Sequence, residues 1–199
     1  IENVQILSPF REKGEAASEQ LNRAIRERVN PFRSAEEEVK MGNRTFRVHD
    51  RVMQTKNTEK VSNGDLGFIT GITTGSKGER LVQMDFGGDR KMNYTPEQLA
   101  HVDLAYATTI HKAMGSEFET VIIPIVKAHT IMLYRNLLYT AVTRAKKKVI
   151  LVGHKPILFM AVHRADISKR NTRLGERIRL YCKAYHTERN ALPELQQAG

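Results

Sequence analysis

Two stretches of the chain combine residue types that could hold a nucleotide. The first, Ala105 to Phe118, contains threonine, histidine, lysine, glycine and glutamate and leads into an apolar run. The second, Asn136 to Gly153, reads as a helix that delivers Arg144 just before another apolar run. An arginine at a helix end presents a planar fork that matches phosphate oxygens, and a glycine beside a carboxylate lets backbone approach a nucleotide closely. The two stretches together indicate half of a nucleotide site.

Buried strands and one amphipathic helix would have to position these residues. The apolar runs that predict strands are Asn3 to Pro9, Val121 to Val126 and Val149 to Val152. Helical spacing of apolar residues from Ala17 to Val29, which Pro31 ends, predicts a helix after the first strand. Apolar strands tied to polar loops and helix ends predict an α/β sheet with its functional groups along one edge. Arg11 and Lys13 follow the first strand, where ligands collect on open α/β sheets.

The middle of the chain has a different pattern of apolar and turn-forming residues. From Thr45 onward, short alternating apolar stretches are separated by turn signals such as Asn63-Gly64 and Gly87-Gly88. Several short strands so close together predict a small β-barrel, after which the parent sheet resumes near Leu99. The charged residues from Ser34 to Asn43 are predicted to form a loop.

Composition limits the class of protein and its partners. The 199 residues carry a formal net charge of +10, which favours a polyanionic partner such as nucleic acid, although a solvated basic surface is the plainer alternative. The single cysteine, Cys182, excludes an internal disulfide. A single cysteine fits a cytoplasmic location. No apolar run approaches the roughly 20 residues of a membrane span, so no membrane partner is expected. A first residue of Ile1 rather than methionine suggests a piece of a longer protein.

The sequence also resembles a known family. TIHKAMGSEFETVIIPI is similar to motif V, and LLYTAVTRAKKKVILVG to motif VI, of RecD-like superfamily 1 DNA helicases. The resemblance extends to VQILSPFREKG and VMQTKNTEKVSNGDLGFI and so covers roughly residues 1–165. It implies a RecA-like second motor lobe, of the P-loop NTPase type, formed by residues 1–44 and 99–165. An SH3-like barrel at 45–98 would interrupt it, and a basic tail would follow at 166–199.

The resemblance implies a nucleotide site with four residues. Arg144 would be an arginine finger, Gly115 would bring a backbone N–H near the γ-phosphate, and Glu117 would accept a hydrogen bond from the ribose. Arg11, in the segment that resembles motif IV, would reach the nucleotide phosphates. The alternatives are an Arg144 that complements a helix dipole, a solvated Arg11, and a simple turn at Gly115 and Glu117.

The resemblance also implies contacts with single-stranded DNA. The implied residues are Thr109, His111 and Lys112 in the first stretch and Arg47, Arg51 and Lys56 in the barrel. His111 could instead be a buried, hydrogen-bonded histidine, and alternating charges on strands are often plain solvent surface. Met114 stands where relatives usually have glutamine, which removes an expected polar contact.

The chain lacks the G-x-x-x-x-G-K-[ST] loop that cradles phosphates, and it offers no credible magnesium carboxylates. The resemblance therefore implies ATP and Mg²⁺ bound between this lobe and an N-terminal lobe that supplies the magnesium ligands, with no metal site here. The fragment alone should not hydrolyse ATP. The complete protein would move along single-stranded DNA, in the 5′→3′ direction, and unwind duplex in repair or recombination, with exonuclease-complex subunits as further partners.

Three alternatives remain open from the sequence. The chain could be a nucleic-acid-binding module without nucleotide chemistry, the helicase domain of a conjugative relaxase, or a degenerate lobe kept for regulation. The first predicts that Arg144 is dispensable.

Overall fold

The computed structural model describes residues 3–76, 78–164 and 174–190. The chain divides into two compact units, Ile1–Ala165 and Asp166–Gly199. The first unit holds all the strands of the described residues, and the second contributes one helix. Within the described residues, no helix combines the length and the apolar character needed to cross a lipid bilayer.

Strands dominate the first unit. In chain order the strands are β1 (Val4–Ser8), β2 (Glu38–Met41), β3 (Arg44–Arg47), β4 (Arg51–Gln54), β5 (Leu66–Thr74), β6 (Arg80–Asp85), β7 (Lys91–Tyr94), β8 (Val102–Leu104), β9 (Ala107–Thr109), β10 (Phe118–Ile125) and β11 (Ala145–Gly153). The α-helices are α1 (Ser18–Val29), α2 (Arg135–Val142), α3 (Lys155–His163) and α4 (Leu174–Asn190).

Four parallel strands form what is called here the lobe sheet, in the order β11-β10-β1-β9. Strand β10 buries Val121, Ile123 and Ile125 almost completely, and these alternate residues point to the face of the sheet that forms the core. Helix α1 packs against β1 and β9, α2 against β10 and β11, and α3 against β10. The α/β sheet predicted from the apolar runs is therefore present.

Residues 38–104 form what is called here the antiparallel module. A hairpin pairs β2 with β3, and a five-stranded sheet has the order β7-β6-β5-β4-β8. The module has its own hydrophobic core, in which Phe46, Ile69, Val82, Met84 and Leu99 are each no more than 1% exposed. It is thus a separate packing unit joined to the lobe sheet at both ends.

Two predictions about this region are wrong. Strand β2 occupies residues 38–41 of the predicted loop, because Val39 is buried in the module's core and Met41 packs against it. A four-residue strand in which the only apolar residues, Val39 and Met41, alternate with charged ones is easily missed. The lobe sheet does not resume near Leu99 either, since β8 still pairs with β4 of the module and the lobe sheet resumes only at β9.

A buried carboxylate ties the module to the lobe. Asp50 is fully buried, and its Oδ1 accepts hydrogen bonds from Asn30 Nδ2 at 2.9 Å and from Tyr106 Oη at 3.0 Å. Its Oδ2 accepts a hydrogen bond from the Arg47 backbone N–H at 2.8 Å. Asn30 caps the C-terminal end of α1, where Pro31 prevents further helix, and Tyr106 immediately precedes β9. One side chain therefore fixes the orientation of α1 and the return to the lobe sheet.

Candidate nucleotide and DNA sites

Arg144 lies between the end of α2 and the start of β11. The preceding residue, Thr143, continues the helical conformation, and the Arg144 carbonyl accepts a hydrogen bond from Phe118 N at 2.8 Å. The guanidinium is half-buried and donates to the Thr140 and Ser116 carbonyls, both at 3.3 Å, and to Thr143 Oγ1 at 3.4 Å. Within the described residues it pairs with no carboxylate. The charged fork is thus oriented by weak neutral acceptors and remains able to meet a phosphate.

Gly115 lies beside Arg144 in the loop that connects β9 to β10. Its φ of +87° is in the left-handed region, and a Cβ built there would meet no atom within 4 Å. The glycine is therefore needed for backbone conformation rather than for packing against the protein. The buried residues Ile110 and Ala113 anchor the loop in the core, which leaves Gly115 exposed at the surface.

Glu117 completes a group of three predicted nucleotide residues. Its side chain is 60% exposed, and its carboxylate lies 3.7 Å from Lys146 Nζ. Such an exposed ion pair is weak and is easily exchanged for another partner. Because Phe118 pairs with Ala145 at the first positions of β10 and β11, the structure brings Arg144, Gly115 and Glu117 together at the edge where these strands begin.

Arg11 lies at the opposite end of the parallel strands, where β1 and β9 have their C-terminal ends. Its Nε donates to Glu19 Oε1 at 2.8 Å, a hydrogen bond that raises the pKa of Arg11, and its guanidinium lies 3.9 Å from Asp103. The prediction that the functional groups share one edge is therefore wrong. The loop formed by residues 110–117 runs from the C-terminal end of β9 to the N-terminal end of β10. The predicted residues are therefore divided between the two opposite ends of the parallel strands.

The predicted DNA residues of the first stretch lie at the C-terminal end of β9 and in the loop that follows it. Thr109 Oγ1 accepts a hydrogen bond from Lys112 N at 3.2 Å, and Lys112 Nζ lies 2.7 Å from Asp103 Oδ2. His111 is exposed, so the alternative of a buried, hydrogen-bonded histidine is wrong. Met114 is 54% exposed. Thr109, His111 and Lys112 therefore share one short surface loop with Arg11 close by.

Two of the three DNA candidates in the module are not on the surface. Arg51 is 2% exposed, and its guanidinium donates to the Val4 carbonyl at 2.6 Å. The Arg47 side chain is 11% exposed and pairs with Glu38 at 2.8 Å and Glu27 at 3.0 Å. Burial and these partners give both arginines structural roles, which corrects their prediction as DNA contacts.

Lys56 differs from these arginines. It is exposed in the loop that follows β4, where its carbonyl accepts a hydrogen bond from Gln54 Nε2 at 2.8 Å. Its contact with DNA stays a prediction. No group of three or more His, Cys, Asp or Glu side chains in the described part of the chain is arranged to bind a metal ion.

A buried histidine supports the loop that carries Arg11. His129 is fully buried, and its ring lies 5.6 Å, centroid to centroid, from the ring of Phe10. Burial lowers the pKa of His129. The neutral ring therefore packs under the segment between β1 and α1.

Sequence reasoning missed a cavity of about 300 Å³ beside the Thr109–Lys112 loop. Three arginines that were not predicted as site residues, Arg23, Arg26 and Arg44, line it. Arg23 and Arg26 are spaced i, i+3 on α1, which places them on one face and was the available signal. Arg44 comes from β3, and the sequence gives no indication that it meets them.

Comparisons with known proteins agree with this architecture. A family model described as the UvrD-like helicase C-terminal domain matches residues 104–152, and one described as the ATP-dependent RecD-like DNA helicase SH3 domain matches residues 21–86. The Pif1 helicase from Bacteroides, solved with ADP-AlF3 and single-stranded DNA, superposes with a TM-score of 0.52 at 18% identity, over 92% of this chain and 46% of that one. The Candida albicans Pif1 helicase gives 0.51 at 14% identity, over 80% and 49%. The fold is thus a RecA-like second helicase lobe with an SH3-like insert.

Sequence relatives narrow the class further. The ATP-dependent RecD2 DNA helicase of Deinococcus radiodurans is 37% identical over 180 residues, which is 89% of this chain and 24% of that protein. The RecBCD enzyme subunit RecD of Mycobacterium tuberculosis is 37% identical over 122 residues, 61% of this chain and 20% of that subunit. The chain belongs to the RecD-like superfamily 1 helicases and corresponds to a C-terminal portion of them. It spans about a quarter of the length of its RecD2 relative.

Proposed function

We propose that this chain is the C-terminal motor lobe of an ATP-dependent DNA helicase. The observation that carries the proposal is the position of Arg144, which is oriented beside Gly115 and Glu117 by neutral acceptors only. Among the described residues Arg144 has no carboxylate partner, and its guanidinium is half-buried rather than fully solvated. An oriented arginine whose charge is not neutralised by a carboxylate is able to bind the phosphate group of a ligand.

The three residues fit a nucleotide held between two lobes. ATP supplies the γ-phosphoryl group whose transfer to water drives the motor. Arg144 would meet the phosphate oxygens, the open space over Gly115 would admit a phosphate close to backbone, and the exposed Glu117 carboxylate would accept a ribose hydroxyl. Magnesium ligands and the phosphate-cradling loop would come from an N-terminal lobe of the same protein.

Single-stranded DNA would run past the C-terminal ends of β1 and β9, at the end of the lobe sheet opposite Arg144. The Thr109 hydroxyl, the His111 imidazole and the Lys112 ammonium would contact phosphates, and Lys56 would add a counter-charge from the module. Phosphate contacts carry no sequence information, which suits a motor that must pass over any sequence. Movement in the 5′→3′ direction, exonuclease-complex partners, and work in DNA repair or recombination in the cytoplasm belong to the same proposal.

The test is ATP turnover by the full-length protein that contains this chain, with and without single-stranded DNA. Arg144→Ala should lower DNA-stimulated turnover by roughly 10³–10⁵-fold if Arg144 acts as an arginine finger. Because its present hydrogen bonds are long and involve neutral acceptors, the same change should alter the free energy of unfolding by no more than about 1 kcal/mol. Arg144→Lys should restore little turnover, because an ammonium cannot bind phosphate bidentately.

Arg135→Ala provides the matched control. Arg135 begins the same helix, is exposed and donates to the Val162 carbonyl at 2.7 Å, so this change removes an equal charge at the far end of α2. Its turnover should match that of the wild type. Normal turnover in Arg144→Ala would remove Arg144 from the site, and salt-sensitive DNA binding without any turnover would favour a binding module instead.

A further inference from the structure

The cavity beside Thr109 lies where α1 faces the antiparallel module. Its walls come from α1, the start of β3, the end of β8, and β9 with the loop that follows it. It therefore adjoins Thr109 and Lys112, at the end of the parallel strands opposite Arg144. Neither of the regions matched separately by the two family models contains the whole cavity.

The cavity has an excess of positive charge. Among the described residues, its lining includes the cations Arg11, Arg23, Arg26, Arg44 and Lys112 and the anions Glu19 and Asp103. Arg23 is exposed and has no ion pair or side-chain hydrogen bond within the described residues. Arg26 Nε is buried without a hydrogen-bond partner, although Arg26 Nη1 donates to the Thr45 carbonyl at 2.6 Å and the guanidinium lies 3.5 Å from Glu27 and 3.9 Å from Asp50. These donors are left over after the internal contacts are made.

Asp103 gathers three of the cations around one carboxylate. It lies 2.7 Å from Lys112 Nζ, 3.2 Å from Arg44 Nη1 and 3.9 Å from Arg11 Nη2. Arg11 is also paired with Glu19 at 2.8 Å, so Arg44 and Lys112 share the single charge of Asp103 and one positive charge of this group is left without a counter-charge. The arrangement is built before any ligand binds, since Arg44 also donates to the Val102 carbonyl at 3.1 Å.

The lining favours a phosphate over a base. The aromatic residue of the lining, Phe46, is 1% exposed and belongs to the module's core, so it offers no ring face for stacking. Guanidinium groups match phosphate oxygens in geometry and charge. The ligand class with the right charge and an adjoining path is the backbone of the strand that passes Thr109.

We propose that this cavity binds a phosphodiester group of single-stranded DNA through Arg23, Arg44 and Lys112, with Arg26 at its floor. The proposal rests on the proposed DNA-binding function and adds a contact at the junction of lobe and module. Asp103 is a positioning residue that holds Arg44 and Lys112 together until the phosphate arrives. Arg11 belongs to this cavity and acts on DNA rather than on the nucleotide.

The test measures binding of fluorescein-labelled oligodeoxythymidine to the full-length protein over a range of salt concentrations. Each lost contact with a single-strand phosphate should reduce the salt slope by about 0.7, which corresponds to about fourfold weaker binding at 0.15 M salt. Arg23→Gln is the cleanest variant, because Arg23 has no internal partner to lose. Arg23→Gln combined with Arg44→Gln should weaken binding about 15-fold.

Lys91→Gln is the control, because it removes one charge from β7, the strand of the five-stranded sheet farthest from β8. Its ammonium is 76% exposed and lies 3.8 Å from Asp85, so little structure depends on it. Binding by this variant should equal that of the wild type. Equal weakening in Lys91→Gln and Arg23→Gln would overturn the proposal by showing that only overall charge matters, and so would unchanged binding in Arg23→Gln.

A second probe identifies the group that is bound. Oligodeoxythymidines that carry one neutral methylphosphonate linkage, moved along the strand, should weaken wild-type binding at one position where the double variant shows no loss. An identical profile for both proteins would overturn the phosphodiester assignment. In Arg23→Gln the DNA concentration that gives half-maximal ATP turnover should rise about fourfold, in step with the weaker binding. A loss of maximal turnover with normal DNA affinity would overturn the proposal in favour of a nucleotide role. Absence of turnover in the wild type would instead refute the motor function and leave the binding result to be judged separately.

Discussion

The buried carboxylate of Asp50 provides a sharp test of how the module is joined to the lobe. Three donors converge on it: Asn30 Nδ2 and Tyr106 Oη at one oxygen, and the Arg47 N–H at the other. Asp50→Ala would remove every acceptor and leave these three donors without partners in a buried site. Each unsatisfied buried group costs about 1–3 kcal/mol, part of which water in the new cavity would offset. We therefore expect a loss of about 3–5 kcal/mol in the free energy of unfolding.

Asp50→Asn removes the negative charge of the side chain but keeps its size and one of its two acceptor oxygens. The amide keeps one acceptor for Asn30 and Tyr106, but its NH₂ group would face the Arg47 N–H, donor against donor. One donor is then unpaired, so we expect a loss of about 1–3 kcal/mol. The assay is urea unfolding of the 199-residue chain, followed by far-UV circular dichroism at pH 7. A loss below about 1 kcal/mol for Asp50→Ala would refute the structural role assigned to this carboxylate.

The pH dependence of the same pair gives a second check. Burial raises the pKa of Asp50, outweighing the hydrogen bonds from Asn30, Arg47 and Tyr106 that lower it. The folded state therefore binds the proton more tightly than the unfolded state, whose pKa is near 3.9. This contribution to stability is complete below that value and is lost as pH rises through the folded pKa. The wild type should thus gain stability relative to Asp50→Asn as pH falls from 7 toward 4, and a constant difference would contradict the raised pKa.

Two further changes test other parts of the structure. Arg51→Met should leave the Val4 carbonyl unpaired and lower the free energy of unfolding by about 1–3 kcal/mol. The DNA affinity of the folded protein should stay unchanged. Weaker DNA binding without a loss of stability would restore Arg51 as a DNA contact. For His129, burial lowers the folded pKa, so its contribution to stability is present above the unfolded pKa near 6.5 and is lost as pH falls through the folded pKa. His129→Phe should therefore show a smaller loss of stability than the wild type on acidification below about pH 6.5, measured by thermal unfolding, whereas parallel curves would refute the shift.

Local features of the sequence were enough to predict the lobe sheet. Its strands are apolar runs and α1 has a clear helical period, so both are visible without knowledge of their partners. Strand β11 was predicted only from Val149, although it begins at Ala145, because exposed lysines at 146–148 hide the first part of this edge strand. Strand β2 was missed for a similar reason, since its two apolar residues alternate with the charged Glu38 and Lys40.

The position of Arg144 was also available from the sequence. A helix that ends directly before a strand fixes where the intervening residue lies, and α2 and β11 do this for Arg144 even though β11 is an exposed edge strand rather than the buried strand predicted. Gly115 is similar, because its left-handed φ is a property of one residue in a tight loop. These two positions are determined by short-range constraints, which a sequence contains in full.

The tertiary structure alone decided which charges are buried and which meet. All four residues of β4 are buried, because the strand lies between β5 and β8, and Arg51 satisfies the Val4 carbonyl instead of facing solvent. Arg11, Arg44 and Lys112 come from distant parts of the chain and converge only because Asp103 lies where β8 meets the lobe. Periodicity assigns a residue to a strand face, but whether that face is covered depends on packing between elements far apart in sequence.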